Sequence, residues 1–191
     1  MYIHIKYRLI IIAFLLGSVS SLWSQDSGKI FTCKNGQVSF ISEAPLEIIK
    51  ASSRNLTGAI NVSDRSFSFL LPTKTFEGFN SSLQKTHFNE DYMETDSYPN
   101  STFKGRIIEE TDLSAPGIYK IRAKGKLNIH GVEQDRIVRC DLTVSEGKIE
   151  VKAAFTVFIA DHKISIPSIL NQKIAEEIKV DINFTLMQSG K

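Results

Sequence analysis

Residues 117–129 read GIYKIRAKGKLNI, with Tyr119, Ile121, Ala123, Gly125, Leu127 and Ile129 interleaved with Lys120, Arg122, Lys124, Lys126 and Asn128. Alternation with period two describes a strand that is apolar on one face and wet on the other. The pattern continues downstream in Val138, Cys140, Leu142 and Val144, then in Ile149, Val151, Ala153, Phe155 and Val157, then in Ile178, Val180, Ile182, Phe184 and Leu186. Upstream it is carried by Leu56, Gly58, Ile60 and Val62, by Phe67, Phe69 and Leu71, and by Phe103, Gly105 and Ile107. With Val38 and Phe40 from the first strand, eight strands are expected. Turn residues at Asn35-Gly36, Ser63-Asp64, Ala115-Pro116-Gly117, His130-Gly131 and Glu146-Gly147 separate or end these runs.

Two stretches break the alternation. Phe79, Leu83, Phe88 and Tyr92 stand at helical spacing within residues 76–94, which predicts a short helix or helical loop. Residues 161–175 carry Pro167 followed by Ile169, Leu170 and Ile174, which predicts a second short helix with the proline in its first turn. Both would lie across an end of the sheet. Eight consecutive antiparallel strands make either a sandwich or a closed barrel, and closure removes exposed edges. A membrane barrel would turn Lys120, Arg122, Lys124 and Lys126 towards lipid, at roughly 2–4 kcal/mol each near the midplane. The expected fold is therefore all-β, an eight-stranded antiparallel barrel with its apolar side inward and one or two short helices at its ends.

The chain has 191 residues, 42% of them hydrophobic, with 23 Lys and Arg against 21 Asp and Glu. This excludes a collagen, a disordered tail and a disulfide-stapled miniprotein, and suits one domain. Residues 9–16 read LIIIAFLL, directly after Lys6 and Arg8, and GSVSSLWSQ follows. A basic start, an apolar run and a small-residue exit make a signal-peptide plan. Eight apolar residues fall short of the about 20 that span a bilayer. Cleavage after Ser20 or Ser24 fits; the boundary adopted is a signal over 1–24 and an exported domain over 25–191. Losing Lys6 and Arg8 leaves 21 basic against 21 acidic residues. That balance gives no reason to expect nucleic acid as a partner.

Three stretches resemble the YceI-like proteins, exported bacterial barrels of lipocalin-like shape: KNGQVSFISEAPLEIIKA at 34–51, HFNEDYMETDSYPNSTFKGRI at 87–107 and GIYKIRAKGKLNIHGVEQDRIV at 117–138. One departure is Glu133-Gln134-Asp135-Arg136, where the family often has a proline shortly after the apolar-x-His-Gly turn. A true lipocalin is disfavoured, because its G-x-W signature is missing from the first strand. The resemblance implies a tunnel that binds a polyisoprenoid, an isoprenoid-quinone-like lipid or a similar amphiphile. It also implies carriage or sequestration in the periplasm, with no chemistry on the lipid and no cofactor. The residues expected to line that lumen are Val38, Phe40, Phe69, Phe103, Tyr119, Ile121, Ala123, Leu127, Val138, Leu142, Phe155, Val157, Ile182 and Phe184. Burying a hydrocarbon chain there gains about 0.8 kcal/mol per methylene. Gly58, Gly105, Ala123, Gly125 and Ala153, all on the inward set, either leave the lumen unfilled or make room for large neighbours in a solid core, as in a stress-response scaffold.

The remaining polar residues divide between functional and bland readings. His87, Glu90, Asp91 and Glu94 share a helical face, but HExxH is absent and a solvated acidic face is expected rather than a metal site. His130, and Asp161-His162, would sit at a barrel mouth, as head-group ligands or as turn residues satisfied by backbone. No G-x-S-x-G is present; an enzyme acting on a lipid would need His87, His130 or His162 as acid or base. The basic stripe from Lys120 to Lys126, with Lys104 and Arg106 alongside, makes transient contact with a membrane surface or is a solvated face balanced by Glu133, Asp135 and Asp141. Cys33 and Cys140 are the two cysteines. In an up-and-down barrel strand one does not neighbour strand six, so two unpaired thiols are expected. The N-x-S/T sequons at Asn55, Asn61, Asn80, Asn100 and Asn183 carry no weight in the bacterial setting that the resemblance implies.

Overall fold

The structure, a computed structural model, describes residues 29–189. The expected signal segment therefore lies outside the described residues. Eight strands follow one another: β1 (Ile30–Glu43), β2 (Ile48–Asn61), β3 (Ser66–Pro72), β4 (Asn100–Ile107), β5 (Gly117–Ile129), β6 (Val132–Ser145), β7 (Lys148–Phe158) and β8 (Glu177–Gln188). Each pairs antiparallel with its sequence neighbour, and β1 pairs with β8 to close the barrel. The alternation is expressed as burial: Ile121, Ala123 and Leu127 of β5 are buried, while Lys120, Arg122, Lys124 and Lys126 are exposed.

The two ends differ because their connections differ. At one end the connections are residues 62–65, 108–116 and 146–147, and Leu113, from the loop between β4 and β5, is buried. Leu142, Ile149 and Leu186 are packed almost completely there, with Ile149 directly opposite Leu186. Each such side chain contributes roughly 1.5–3 kcal/mol relative to exposure. At the other end lie the two long connections, residues 73–99 and 159–176.

The structure corrects the sequence reading at Asn35-Gly36 and in residues 161–175, and bears out the short helix expected within residues 76–94. Asn35-Gly36 is not a turn: it lies inside β1, where the register with β2 shifts on either side of Gly36, so the extra residue is absorbed as a bulge. Residues 76–94 hold a short α-helix, α1 (Ser82–His87), capped by the Ser81 side chain, which accepts from the Gln84 amide. A single π turn, Phe88–Tyr92, continues it. Residues 161–175 form no α-helix, only 3-10 turns at Ile159–His162 and, after Pro167, at Ser168–Leu170. The first ends where Lys163 takes left-handed backbone, φ 56°.

Gly105 and Gly125 also differ from expectation. They are register partners on β4 and β5, and a Cβ on Gly105 would lie 2.1 Å from the Lys124 carbonyl oxygen. A Cβ on Gly125 would lie 2.2 Å from that of Lys104. These glycines let the two strands approach closely rather than leaving space in the lumen. A Cβ on Gly58 would likewise meet the Phe69 ring and the Ser68 carbonyl.

Candidate ligand cavity

The barrel encloses a cavity of about 760 Å³, within the roughly 300–1,000 Å³ range of small-molecule sites. Its wall is built strand by strand from inward positions: Val38 and Phe40 of β1, Phe69 of β3, Phe103 of β4, and Ile121, Ala123 and Leu127 of β5. Val138 and Leu142 of β6, Phe155 and Val157 of β7, and Ile182 and Phe184 of β8 continue it, and Ile49, Leu56 and Ile60 of β2, absent from the expected lining, complete the ring. Tyr119 is the one expected lining residue outside it. It lies on the same face of β5 but near the closed end, packed against the core, with its hydroxyl donating to the Ala115 carbonyl at 2.9 Å. Of the small residues, Ala123 and Ala153 face the cavity.

Sequence reasoning missed the residues that the two long connections add to the lining. Phe76, Phe79, Phe88 and Met93 enter from one connection, and Ile164, Pro167, Leu170 and Ile174 from the other. The Phe40 ring lies 5.1 Å from Phe76, 6.0 Å from Phe79 and 5.5 Å from Phe88, an aromatic cluster that fixes the α1 segment against β1. The signal was present, since these aromatics interrupt stretches that otherwise read as loop.

The cavity reaches solvent on this side. Leu83 lines it yet is 62% exposed, and the polar lining of Glu47, Gln84, His87, Asp91 and Lys173 gathers at the same rim. Gln84 Nε2 donates to Glu47 Oε1 at 2.9 Å, and His87 Nδ1 lies 2.5 Å from Asp91 Oδ2. The rest of the polar lining is uncharged and includes Ser42, Thr73, Ser101, Thr102 and Cys140. Burial pushes the Cys140 thiol up to about 12, which makes it a neutral, weakly polar wall group.

His130 and His162 do not line the cavity; they tie its two lips together. The β5–β6 turn has left-handed backbone at His130 and Gly131, φ 52° and 72°, as a two-residue hairpin of this kind requires. His130 Nε2 lies 3.1 Å from Glu94 Oε1, Tyr98 packs edge-on against the imidazole, and His130 Nδ1 donates to the His162 carbonyl at 3.2 Å. His162 is fully buried, and its Nδ1 donates to the Val132 carbonyl at 3.1 Å. These bonds matter because β6 and β7 pair only from Cys140–Ser145 to Lys148–Ala153. Beyond that point Gln134 Nε2 and Arg136 Nη2 reach Asp161 at 2.7 and 3.1 Å instead. Among the described residues, no three His, Cys, Asp or Glu side chains converge as metal ligands. Cys33 and Cys140 are both free thiols.

A closed eight-stranded antiparallel barrel around an apolar lumen with a polar rim places the molecule among the lipocalin-like barrels. Residues 31–186 match the YceI-like domain, and the chain belongs to that family. A polyisoprenoid binding domain from Saccharophagus degradans implicated in plant cell wall breakdown is similar to it with a TM-score of 0.68 and 13% identity, over 84% of this chain and 98% of that one. BcnA of Burkholderia cenocepacia gives 0.65 and 12%, over 78% and 95%. The YCEI protein of Campylobacter jejuni gives 0.58 and 15%, over 72% and 83%. Among curated proteins, none matches the sequence.

Proposed function

We propose that this protein binds a polyisoprenoid, an isoprenoid-quinone-like lipid or a similar chain-like amphiphile in its barrel, and carries or sequesters it in the periplasm without transforming it. The observation that carries this reading is the form of the cavity: an apolar tube with its charged groups confined to one rim. A hydrocarbon tail fits the tube, and a polar head fits the rim beside His87, Asp91 and Lys173. Membership of the YceI-like family and a structural neighbour described as a polyisoprenoid binding domain support the same class of ligand. The histidines argue for binding rather than catalysis, since His130 and His162 are engaged in the lips and only His87 borders the cavity. The basic segment and apolar run before residue 17 support export.

Native mass spectrometry of the purified protein, before and after delipidation, tests the reading. The expected result is a co-purifying prenyl-type lipid, or re-binding of an added polyprenol or quinone with one-to-one stoichiometry. Clean organic extracts together with no uptake of either lipid would overturn it.

A further inference from the structure

The outer face of β4–β6 concentrates basic residues. Outward positions on these strands carry Lys104, Arg106, Lys120, Arg122, Lys124, Lys126 and Arg139 against Glu133, Asp135 and Asp141. Asp141 and Asp135 pair with Lys120 and Lys126 at 2.8 and 3.0 Å, and Glu109 reaches over to Arg122 at 2.7 Å. Yet the register sets like charges directly opposite one another three times: Lys104 with Lys126, Arg106 with Lys124, and Arg122 with Arg139. Such pairs destabilise a sheet. The first two flank the close Gly105–Gly125 crossing. Two large apolar side chains stand on the same face, Ile118 at 81% and Ile137 at 56% exposure, and Ile137 is directly opposite Lys124.

Residues 25–191 are balanced in charge, so this excess of cations on one wall is segregation, not composition. Apart from Glu109 and Asp64 at its edge, the balancing acids lie elsewhere, Glu47 and Asp91 at the mouth among them. We propose that the β4–β6 face is a docking surface for an anionic phospholipid bilayer, on which the barrel lies on its side. The cations meet lipid phosphates, which removes the like-charge cost, and Ile118 and Ile137 enter the head-group layer. Those isoleucines favour a bilayer over a polyanion that offers charge alone. The choice of a bilayer rather than an acidic protein rests on the lipid-carrier reading; the charge arrangement does not.

Co-sedimentation with vesicles tests this. The full exported chain should bind vesicles of phosphatidylglycerol and phosphatidylcholine, ignore pure phosphatidylcholine, and lose binding between about 0.05 and 0.5 M salt. Lys104→Glu/Lys124→Glu/Arg139→Glu, which touches no cavity residue, should weaken vesicle binding more than about tenfold and leave polyprenol uptake in solution unchanged. Lys104→Arg/Lys124→Arg, which leaves Arg139 as it is, should keep it. Equal binding to neutral vesicles, salt-independent binding, an unaffected glutamate variant, or no vesicle binding at all would overturn the proposal. Even if the triple variant fails to fold, salt-independent binding by the wild-type chain overturns the proposal. Polyprenol uptake, measured separately, says whether the cavity reading stands.

Discussion

Gly105 and Gly125 face each other across β4 and β5 so closely that neither position has room for a methyl group: the carbonyl oxygens of Lys124 and Lys104 lie 2.1 and 2.2 Å from where it would stand. The obstacle is backbone, which cannot rotate away as a side chain can. Gly105→Ala or Gly125→Ala should therefore cost about 2–3 kcal/mol of stability, as overpacking does. Gly147→Ala is the control, because its backbone is left-handed, φ 69°, but no atom lies within 4 Å of the new carbon. It should cost only about 1 kcal/mol. Urea unfolding midpoints of the three variants check the order; equal losses would mean that the crossing is not tight.

These glycines also mark what a sequence can and cannot disclose. Alternation follows from burial on one face, so the eight strands and the inward set were legible residue by residue. Depth along the barrel axis leaves no trace in that pattern, which is why Tyr119 shares the face of Ile121 yet lies outside the cavity. A small inward residue is equally ambiguous. Ala153 opens onto the lumen and Gly105 relieves a crossing, and only the pairing register separates the two. Asn35-Gly36 suits a turn or a bulge alike, and the neighbours on β2 and β8 determine which forms. In the lips, helical spacing announces the segment around Leu83 and Phe88, but local pattern is silent about the long-range packing that lays it over the mouth.

Cys33 and Cys140 should behave as inert thiols. Burial raises both above the ordinary thiol range, Cys140 to about 12, so little thiolate exists at neutral pH. The native protein should take up maleimide slowly at both positions, and the denatured, unreduced protein should take two labels. Failure of the denatured protein to label before reduction would establish a disulfide instead.

Filling the lumen should separate binding from folding. Ala153 faces the cavity from β7, directly opposite Cys140. Ala153→Phe would extend a ring into open space and not into packed side chains. Polyprenol affinity should fall more than about tenfold, the loss expected when a few methylenes of contact are displaced, while far-ultraviolet circular dichroism stays unchanged. Unaltered affinity would place the ligand elsewhere.

The lips should loosen in acid, and His162 sets the sign. Burial holds its pKa below the usual imidazole value of 6.5, and the Arg136 guanidinium acts in the same direction; the bond to the Val132 carbonyl and the Asp161 charge oppose them. The unfolded chain therefore binds this proton more readily than the folded one does. The stabilisation is complete above about pH 6.5 and is lost progressively as pH falls below it towards the depressed folded value. Nε2 has no hydrogen-bond partner among the described residues, so a proton placed there meets no acceptor. The thermal midpoint of the wild type should drop more steeply between pH 7.5 and 5 than that of His162→Phe, whose carboxylates are the same but which takes up no proton at this site. Polyprenol dissociation should accelerate over the same interval in the wild type alone, since the imidazole ties β6 to the 159–162 turn where the two strands have parted. Parallel pH profiles for the two proteins would mean that the buried imidazole does not govern the mouth.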